Sequence, residues 1–391
     1  MYQLTKEKLE SLGAEITTRE IHQQPELWQE ALENYEKKQD QVTQFLNKVK
    51  ESTTDRVRVI FSGAGTSQYV GDLLVPYLNQ FGESEKMLFQ SAGTTDIVAA
   101  PRQYFFPDET TILVSFARSG NSPESIATVQ LANQLIKDIY HITITCAKEG
   151  ALAKAAIGDE RNLLLLMPEG SNDKGFAMTG SFSCMTLTGL FVFDRQYSLE
   201  EKSGHVKNLV GLGKEVFERE AEIQAFVDRD FNRIVYLGSG SLAGLAREAQ
   251  LKVLELTAGK ITTVFDSSLG FRHGPKSFVN EQTLIFDFMS NDAYTRQYDI
   301  DILEEVNADQ IAAGVIGIGQ PGTLSFTGET FELQTGTALL PDGYLVLADV
   351  LFAQTISLLA SVKVGNTPDT PSPTGTVNRV VKGVTIHPYE K

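Results

Sequence analysis

Short β-branched runs alternate with amphipathic stretches along most of this chain. Val57–Ile60, Lys86–Gln90, Thr111–Val114, Tyr140–Thr145 and Asn162–Met167 read as buried strands. The pieces between them, such as Ser125–Ile136, carry apolar residues at helical spacing. Strands alternating with helices predict a parallel, doubly wound sheet. Residues 1–50 read as helical. Thr18-Arg-Glu-Ile-His22 comes first, and Pro25-Glu-Leu-Trp28 then opens a longer helix with Leu27, Ala31 and Leu32 on one stripe. Residues 182–226 carry few β-branched runs and read as helical, with an inter-domain linker at 196–226.

After that linker the pattern restarts. Arg233-Ile-Val-Tyr-Leu-Gly-Ser-Gly-Ser241 echoes Arg58-Val-Ile-Phe-Ser-Gly-Ala-Gly-Thr-Ser67, with Gly238 and Gly63 175 residues apart (238 − 63). That interval is domain-sized and predicts two copies of one α/β unit. The predicted organisation is a helical extension at 1–50, a first domain at 51–195, the linker, and a second domain with a C-terminal tail at 227–391. The Pro-, Thr- and Ser-rich stretch from Thr367 to Asn378 reads as an extended surface loop. The apolar positions of Val377–Ile386 suggest docking on a core.

Two strand-to-helix turns carry candidate chemistry. Phe61-Ser-Gly-Ala-Gly-Thr-Ser67 and Ser115-Phe-Ala-Arg-Ser-Gly-Asn-Ser122 place hydroxyls and backbone N–H groups at one sheet edge. Helix N-termini carry partial positive charge and unpaired donors, so such an edge suits a phosphate. No Gly-Lys-Ser/Thr ends the first turn, and Gly63, Gly65 and Gly71 miss the dinucleotide fingerprint spacing. A monophosphate ester therefore fits better than ATP or NAD. The candidate binding residues are Gly65, Thr66, Ser67, Ser115, Arg118, Ser119 and Ser122. The second copy has Met289-Ser-Asn-Asp-Ala-Tyr-Thr295 after its strand Thr283–Phe288. Asp292 there is expected to repel phosphate, which leaves binding to the first copy.

Composition narrows the partners. The 391 residues suffice for two full cores. The formal net charge is −16 with no basic cluster, which argues against nucleic acid. An anionic substrate must be held locally against the global field. Cys146 and Cys184 are isolated and read as buried, inert thiols in a reducing compartment. No metal-ligand spacing occurs among the five histidines, and neither a metal nor an organic cofactor is expected. The N-terminus lacks a signal-peptide core, and the apolar stretch Leu339–Val350 is interrupted by Asp342 and Asp349. A cytoplasmic enzyme without membrane association is the expectation.

Five short segments in order resemble the two-domain sugar isomerase (SIS) family, which includes the isomerase half of glucosamine-6-phosphate synthase. Gly65-Thr-Ser67 and Arg118-Ser-Gly-Asn-Ser122 are similar to its phosphate loops. Glu248-Ala-Gln-Leu-Lys-Val-Leu-Glu255 resembles its catalytic helix. Arg272-His-Gly-Pro275 is similar to its Lys-His-Gly-Pro motif, and Asn378-Arg-Val-Val-Lys-Gly-Val-Thr385 to its lysine tail. Ser267-Ser-Leu-Gly-Phe-Arg-His-Gly-Pro-Lys276 and Asn366-Thr-Pro-Asp-Thr-Pro-Ser-Pro373 resemble the stand-alone tagatose-6-phosphate ketose/aldose isomerases and galactosamine-6-phosphate deaminases. Position 2 is Tyr2, so the nucleophilic cysteine of a glutaminase half has no counterpart. Without glutamine-derived ammonia, release of ammonia is the natural direction.

The resemblance implies an α/β fold of two doubly wound parallel-sheet SIS domains. It also implies a deaminating aldose–ketose isomerase that turns galactosamine 6-phosphate into tagatose 6-phosphate and ammonia. A plain tagatose-6-phosphate isomerase, a deglycase and a sugar-phosphate-sensing module are the rivals. Glu255 is the implied base. Positions 248, 252 and 255 share a helical face, so Lys252 can hold Glu255 ionised beside Glu248. The same spacing also describes a surface salt-bridge ladder. His273 is the implied ring-opening group, acting in a neighbouring subunit's site, and the chain is expected to be at least a homodimer. Lys382 is implied to meet the sugar carbonyl, by charge or as a Schiff base. Arg118 stands where the synthases have Gln. It can fork onto phosphate or pair with an acid.

Overall fold

The computed structural model describes residues 1–334, 338–379 and 383–390. Ten strands form two sheets. The first holds β1 (Val57–Gly63), β2 (Met87–Gly93), β3 (Thr111–Ala117), β4 (Ile139–Thr145) and β5 (Asn162–Leu166) in the order β2-β1-β3-β4-β5. The second holds β6 (Arg233–Gly238), β7 (Thr262–Ser267), β8 (Thr283–Phe288), β9 (Gly314–Gly319) and β10 (Glu329–Glu332) in the order β10-β9-β8-β6-β7. Every pairing is parallel. Read from β7, the second order repeats the first, so the chain is a duplicated doubly wound α/β fold with N-terminal helices. In each sheet the winding reverses beside its first strand, between β1 and β3 and between β6 and β8. The crevice beyond the carboxyl ends at such a reversal is where open α/β sheets bind ligands.

The repeat extends to backbone angles. Gly65 has φ +56° and ψ −129°, and Gly240 has φ +58° and ψ −123°. A Cβ on Gly63 would sit 2.4 Å from the backbone of Ser67, and one on Gly238 2.7 Å from that of Leu242. Each strand thus turns into its helix too tightly for any residue but glycine at that position.

Burial explains the elements. β1, β3 and β4 are buried at every residue, as strands covered on both faces must be. The helix Gly180–Phe193 is apolar all round and buried throughout. Its Phe193 meets Phe61 and Phe89 edge-on at centroid distances of 5.3 and 5.7 Å, and each such ring contributes about 1.5–3 kcal/mol by burial. The helix Asp342–Lys363 has 22 residues and is long and apolar enough to cross a membrane, a length hidden in the sequence by Asp342 and Asp349. Its most apolar window is 94% buried inside the protein, the position of a core helix.

By contacts the chain forms two compact units. One comprises Met1–Glu26, Lys174–Thr179 and Ser203–Thr376, with the second sheet. The other comprises Leu27–Asp173, Gly180–Lys202 and the described part of Val377–Lys391, with the first sheet. The tail therefore packs with the first sheet, although it follows the second in sequence. Tyr389 lies against the core of Ile97, Phe105 and Leu131, and the Gln134 side-chain amide donates to its carbonyl (3.1 Å). The N-terminal helices bury their apolar residues within this chain. Ile21 and Trp28 are fully buried, and the Trp28 indole donates to Ser183 Oγ (2.9 Å).

Candidate functional site

At the first sheet's carboxyl edge, the turn after β1 delivers Thr66 and Ser67 onto the first turn of the helix Thr66–Phe81. No acidic side chain lies in that turn. Ser115, buried near the end of β3, lies in register with Ser62 of β1 and Thr143 of β4. Ser122 is the N-cap of the helix Pro123–Leu135, yet its hydroxyl makes no capping bond. Gly120 turns with φ +64°, and Ser119 Oγ accepts from the Asn121 N–H (3.3 Å). Strand register thus sets Ser115 beside Ser62 at the reversal point, and the turns that carry the other predicted hydroxyls leave the same sheet edge. The structure adds two that the motifs did not single out. Ser62 Oγ and Thr94 Oγ1 are buried without a hydrogen-bond partner among the described residues. Ser62 lies inside the first motif. Thr94 opens the helix after β2, and nothing in its own surroundings in sequence marks it.

Arg118 does something the sequence did not suggest. Its guanidinium donates to the carbonyl of Arg379 (2.7 Å), and Arg379 Nε donates to the carbonyl of Asp173 (2.8 Å). Arg118 is 7% exposed, and this bond ties the turn after β3 to the start of the tail. Lys382 lies outside the described residues. Beyond it, Val384–Tyr389 line a groove of about 790 Å³ with Thr95, Val98, Glu124 and Gln134. Cys146 and Cys184 are buried as expected. Desolvation pushes the Cys146 thiol up to about 12, so it is inert.

The second sheet's edge has the same shape and the opposite chemistry. Asp299 is fully buried, and its carboxylate accepts from Ser239 Oγ (2.5 Å), Ser268 Oγ (2.6 Å) and the Ser290 N–H (2.9 Å). Asp342 takes Ser290 Oγ (2.5 Å) and the Asn291 N–H (2.8 Å). Strand register sets Asp287 against Leu237, as Ser115 is set against Ser62. The expected obstacle, Asp292, is spent elsewhere. It caps the helix Ala293–Ala308 through the Tyr294 and Thr295 N–H groups, which holds its carboxyl below the usual range. Asp299 and Asp287, which come from a helix and a strand remote from the turn, take up this edge, and burial raises both carboxyls above their ordinary value.

The helix Ser241–Leu256 carries the candidate acid–base group. Lys252 is buried, with its Nζ 2.5 Å from Glu255 Oε2 and 3.5 Å from Glu248 Oε1. Side-chain exposure is 0% for Glu248, 1% for Lys252 and 24% for Glu255. A solvated surface ladder is excluded. Charges taken out of water this far rarely add net stability, and they cluster where function needs a tuned group. Only Glu255 of the three reaches solvent. His273 is exposed, and its ring makes no hydrogen bond to the described residues. Gly274 after it has φ +124°, a conformation open to glycine. Among the described residues no group of His, Cys, Asp and Glu could hold a metal ion.

Comparison with known proteins fits this layout. Residues 54–193 match the SIS domain family. Over 380 residues the chain is 41% identical to the D-galactosamine-6-phosphate deaminase AgaS of Escherichia coli, spanning 96% of each protein. A candidate tagatose-6-phosphate ketose/aldose isomerase from Clostridium novyi NT matches with a TM-score of 0.93 and 42% identity, over 100% of this chain and 99% of that one. The tagatose-6-phosphate ketose/aldose isomerase of Escherichia coli matches with a TM-score of 0.86 and 38% identity, over 96% and 97%.

Proposed function

This chain belongs to the SIS family of sugar-phosphate enzymes, and on that premise we propose that it deaminates galactosamine 6-phosphate to tagatose 6-phosphate and ammonia. The observation that carries this reading is the near-full-length likeness to a D-galactosamine-6-phosphate deaminase. The buried Glu248–Lys252–Glu255 ladder supports it at the level of chemistry, because phosphate sensing needs no such group.

Roles are assigned unit by unit. In the first, Gly65, Thr66, Ser67, Ser115, Ser119 and Ser122 hold the phosphate ester through hydroxyls and helix-terminal N–H groups. Arg118 holds the loop against the tail. In the second, Glu255 removes the C2 proton of the opened amino aldose and returns it to C1. The enolamine becomes a ketimine, and water then replaces nitrogen to give the ketose and ammonia. Lys252 keeps Glu255 ionised, and Glu248 balances Lys252. His273 moves the proton of ring opening. Lys382 polarises the carbonyl, or forms a Schiff base with it.

We further propose that the active unit is at least a dimer. Leu254, Phe265 and Leu269 are 41%, 38% and 42% exposed. They lie on the catalytic helix, the outer strand β7 and the turn that follows β7, an apolar surface suited to a second copy.

The test is a panel of hexosamine 6-phosphates assayed for ammonia and ketose together. Equal yields from galactosamine 6-phosphate support the deaminase. Interconversion of tagatose 6-phosphate with an aldose phosphate, with no ammonia from any amino sugar, would establish the plain isomerase instead, the activity in the names of the two matched structures.

A further inference from the structure

We propose that Glu305 is the positioning residue for His273, a role that rests on reading His273 as the ring-opening group. The loop that carries His273 is fastened to the helix Ala293–Ala308 by two kinds of contact. Phe271 is fully buried and belongs to one core cluster with Ile302, Leu303 and Val306 of that helix. One turn of polar chemistry lies alongside. Arg272 Nε meets Glu305 Oε2 at 2.6 Å, and Lys276 Nζ meets Glu305 Oε1 at 2.7 Å. Lys276 Nζ also lies 2.6 Å from Asp309 Oδ2.

One carboxylate therefore holds both ends of the segment 272–276, with a separate oxygen for each cation. His273 sits inside that segment, and so does Gly274 at φ +124°. A lone exposed ion pair is worth little. Here the two cations converge on one acid that a rigid helix presents, and they flank the one residue whose direction matters. The imidazole itself makes no hydrogen bond to the described residues that would fix its direction. Hydrogen bonds from Lys276 and Arg272 hold the Glu305 carboxyl below its ordinary value, consistent with both contacts forming. A misplacement of about 1 Å in a catalytic group costs on the order of a hundredfold in rate, so a small loosening of this loop is measurable.

The experiment compares Glu305→Gln, Glu305→Asp and, as a control, Glu329→Gln, whose parent carboxylate pairs with Arg229 at 2.7 Å in the same unit. The full chain is used throughout, with galactosamine 6-phosphate as substrate. The His273 imidazole resonance is identified among the five histidines by its loss in His273→Ala. Glu305→Gln is expected to shift or broaden that resonance and to lower kcat about ten- to a hundredfold, with KM within about threefold. Glu305→Asp should recover part of kcat, and Glu329→Gln should match wild type. An unchanged His273 resonance and unchanged kcat in folded Glu305→Gln would reduce Glu305 to a surface ion pair and overturn the proposal. If Glu305→Gln does not fold, Lys276→Met removes one arm of the clamp and is read by the same quantities. A shifted resonance with lowered kcat then supports the clamp, and no change in either overturns it. Full turnover by His273→Ala would remove His273 from the reaction. The resonance shift in Glu305→Gln then still decides whether Glu305 sets the imidazole's position.

Discussion

The two sheet edges share strand order, glycine geometry and helix placement, and they differ in what fills the reversal point. At the ends of β1 and β3 stand Ser115 and the turns that carry Thr66, Ser67 and Ser119. Beyond β6 and β8 the chain supplies its own anion, because Asp299 accepts from Ser239, Ser268 and the Ser290 N–H. Counted from the aligned glycines, Ser67 corresponds to Leu242 and Ser115 to Asp287. The divergence also runs the other way. Glu248, Lys252 and Glu255 occupy the places of Leu73, Tyr77 and Gln80 on the equivalent helix of the first copy. On the proposed assignment, one copy binds the anion at the start of that helix and the other carries acid–base chemistry at its end, so that a duplicated fold divides two tasks by changing a few side chains on a repeated backbone.

The division can be broken most sharply at Glu255. Glu255→Gln should keep phosphate-ester binding and lose about 10²–10⁴-fold in kcat, the usual contribution of a positioned base. Near-normal turnover would leave the second copy without its assigned task. A mixing experiment sharpens the same point. Glu255→Gln and His273→Ala, each inactive, are dissociated and reassembled together. If His273 serves a partner's site, some mixed sites hold both native groups and activity returns in part. Activity that stays at background would place both groups in one chain's own site.

Phosphate binding comes next in size. Ser67→Ala or Ser119→Ala should raise KM about ten- to a hundredfold, since a hydrogen bond to a charged group is worth about 1.5–3 kcal/mol. Ser239→Ala or Ser241→Ala should move KM by less than about twofold. Sulfate seated at Gly238–Ser241 in a crystal, with none at the first-copy loops, would reverse the assignment.

The smallest effect is on stability. Asp349 is fully buried, neither carboxylate oxygen has a hydrogen-bond partner among the described residues, and desolvation raises its pKa well above the ordinary value. An acid raised on folding stabilises fully below its unfolded pKa, and that stabilisation is lost as pH rises through the folded value. Asp349→Asn should therefore melt nearly like wild type at pH 4 and gain on it as pH rises. About 1 kcal/mol corresponds to about 2–4 °C in each unit. A difference in Tm that stays constant from pH 4 to 9 would show that Asp349 does not titrate differently in the folded and unfolded chain.

Much of this was legible without coordinates, for local reasons. β-branched runs and glycine-rich turns act on their immediate neighbours, so the strands, the parallel doubly wound class and the duplication could be read from spacing, while the order of the strands in each sheet could not. The likeness of Glu248–Glu255 to a catalytic helix pointed to Glu255 as the base, whereas spacing alone favoured a surface salt-bridge ladder. Burial removed the solvated ladder, and burial depends on what packs over Lys252 from remote parts of the chain. The same limit hid Asp299, which lies 60 residues beyond Ser239 and meets it only after β8 and its helix have folded. It hid the attachment of Arg118 to the Arg379 carbonyl, 261 positions away, and with it the packing of the tail with the first sheet. Sequence by itself determined the repeating α/β pattern and the residue types at each turn, because propensity and periodicity are properties of neighbours. The tertiary structure decided which turn's hydroxyl is taken up by a buried aspartate, which charges lose their water and which acid clamps the histidine loop, because those depend on contacts between distant segments.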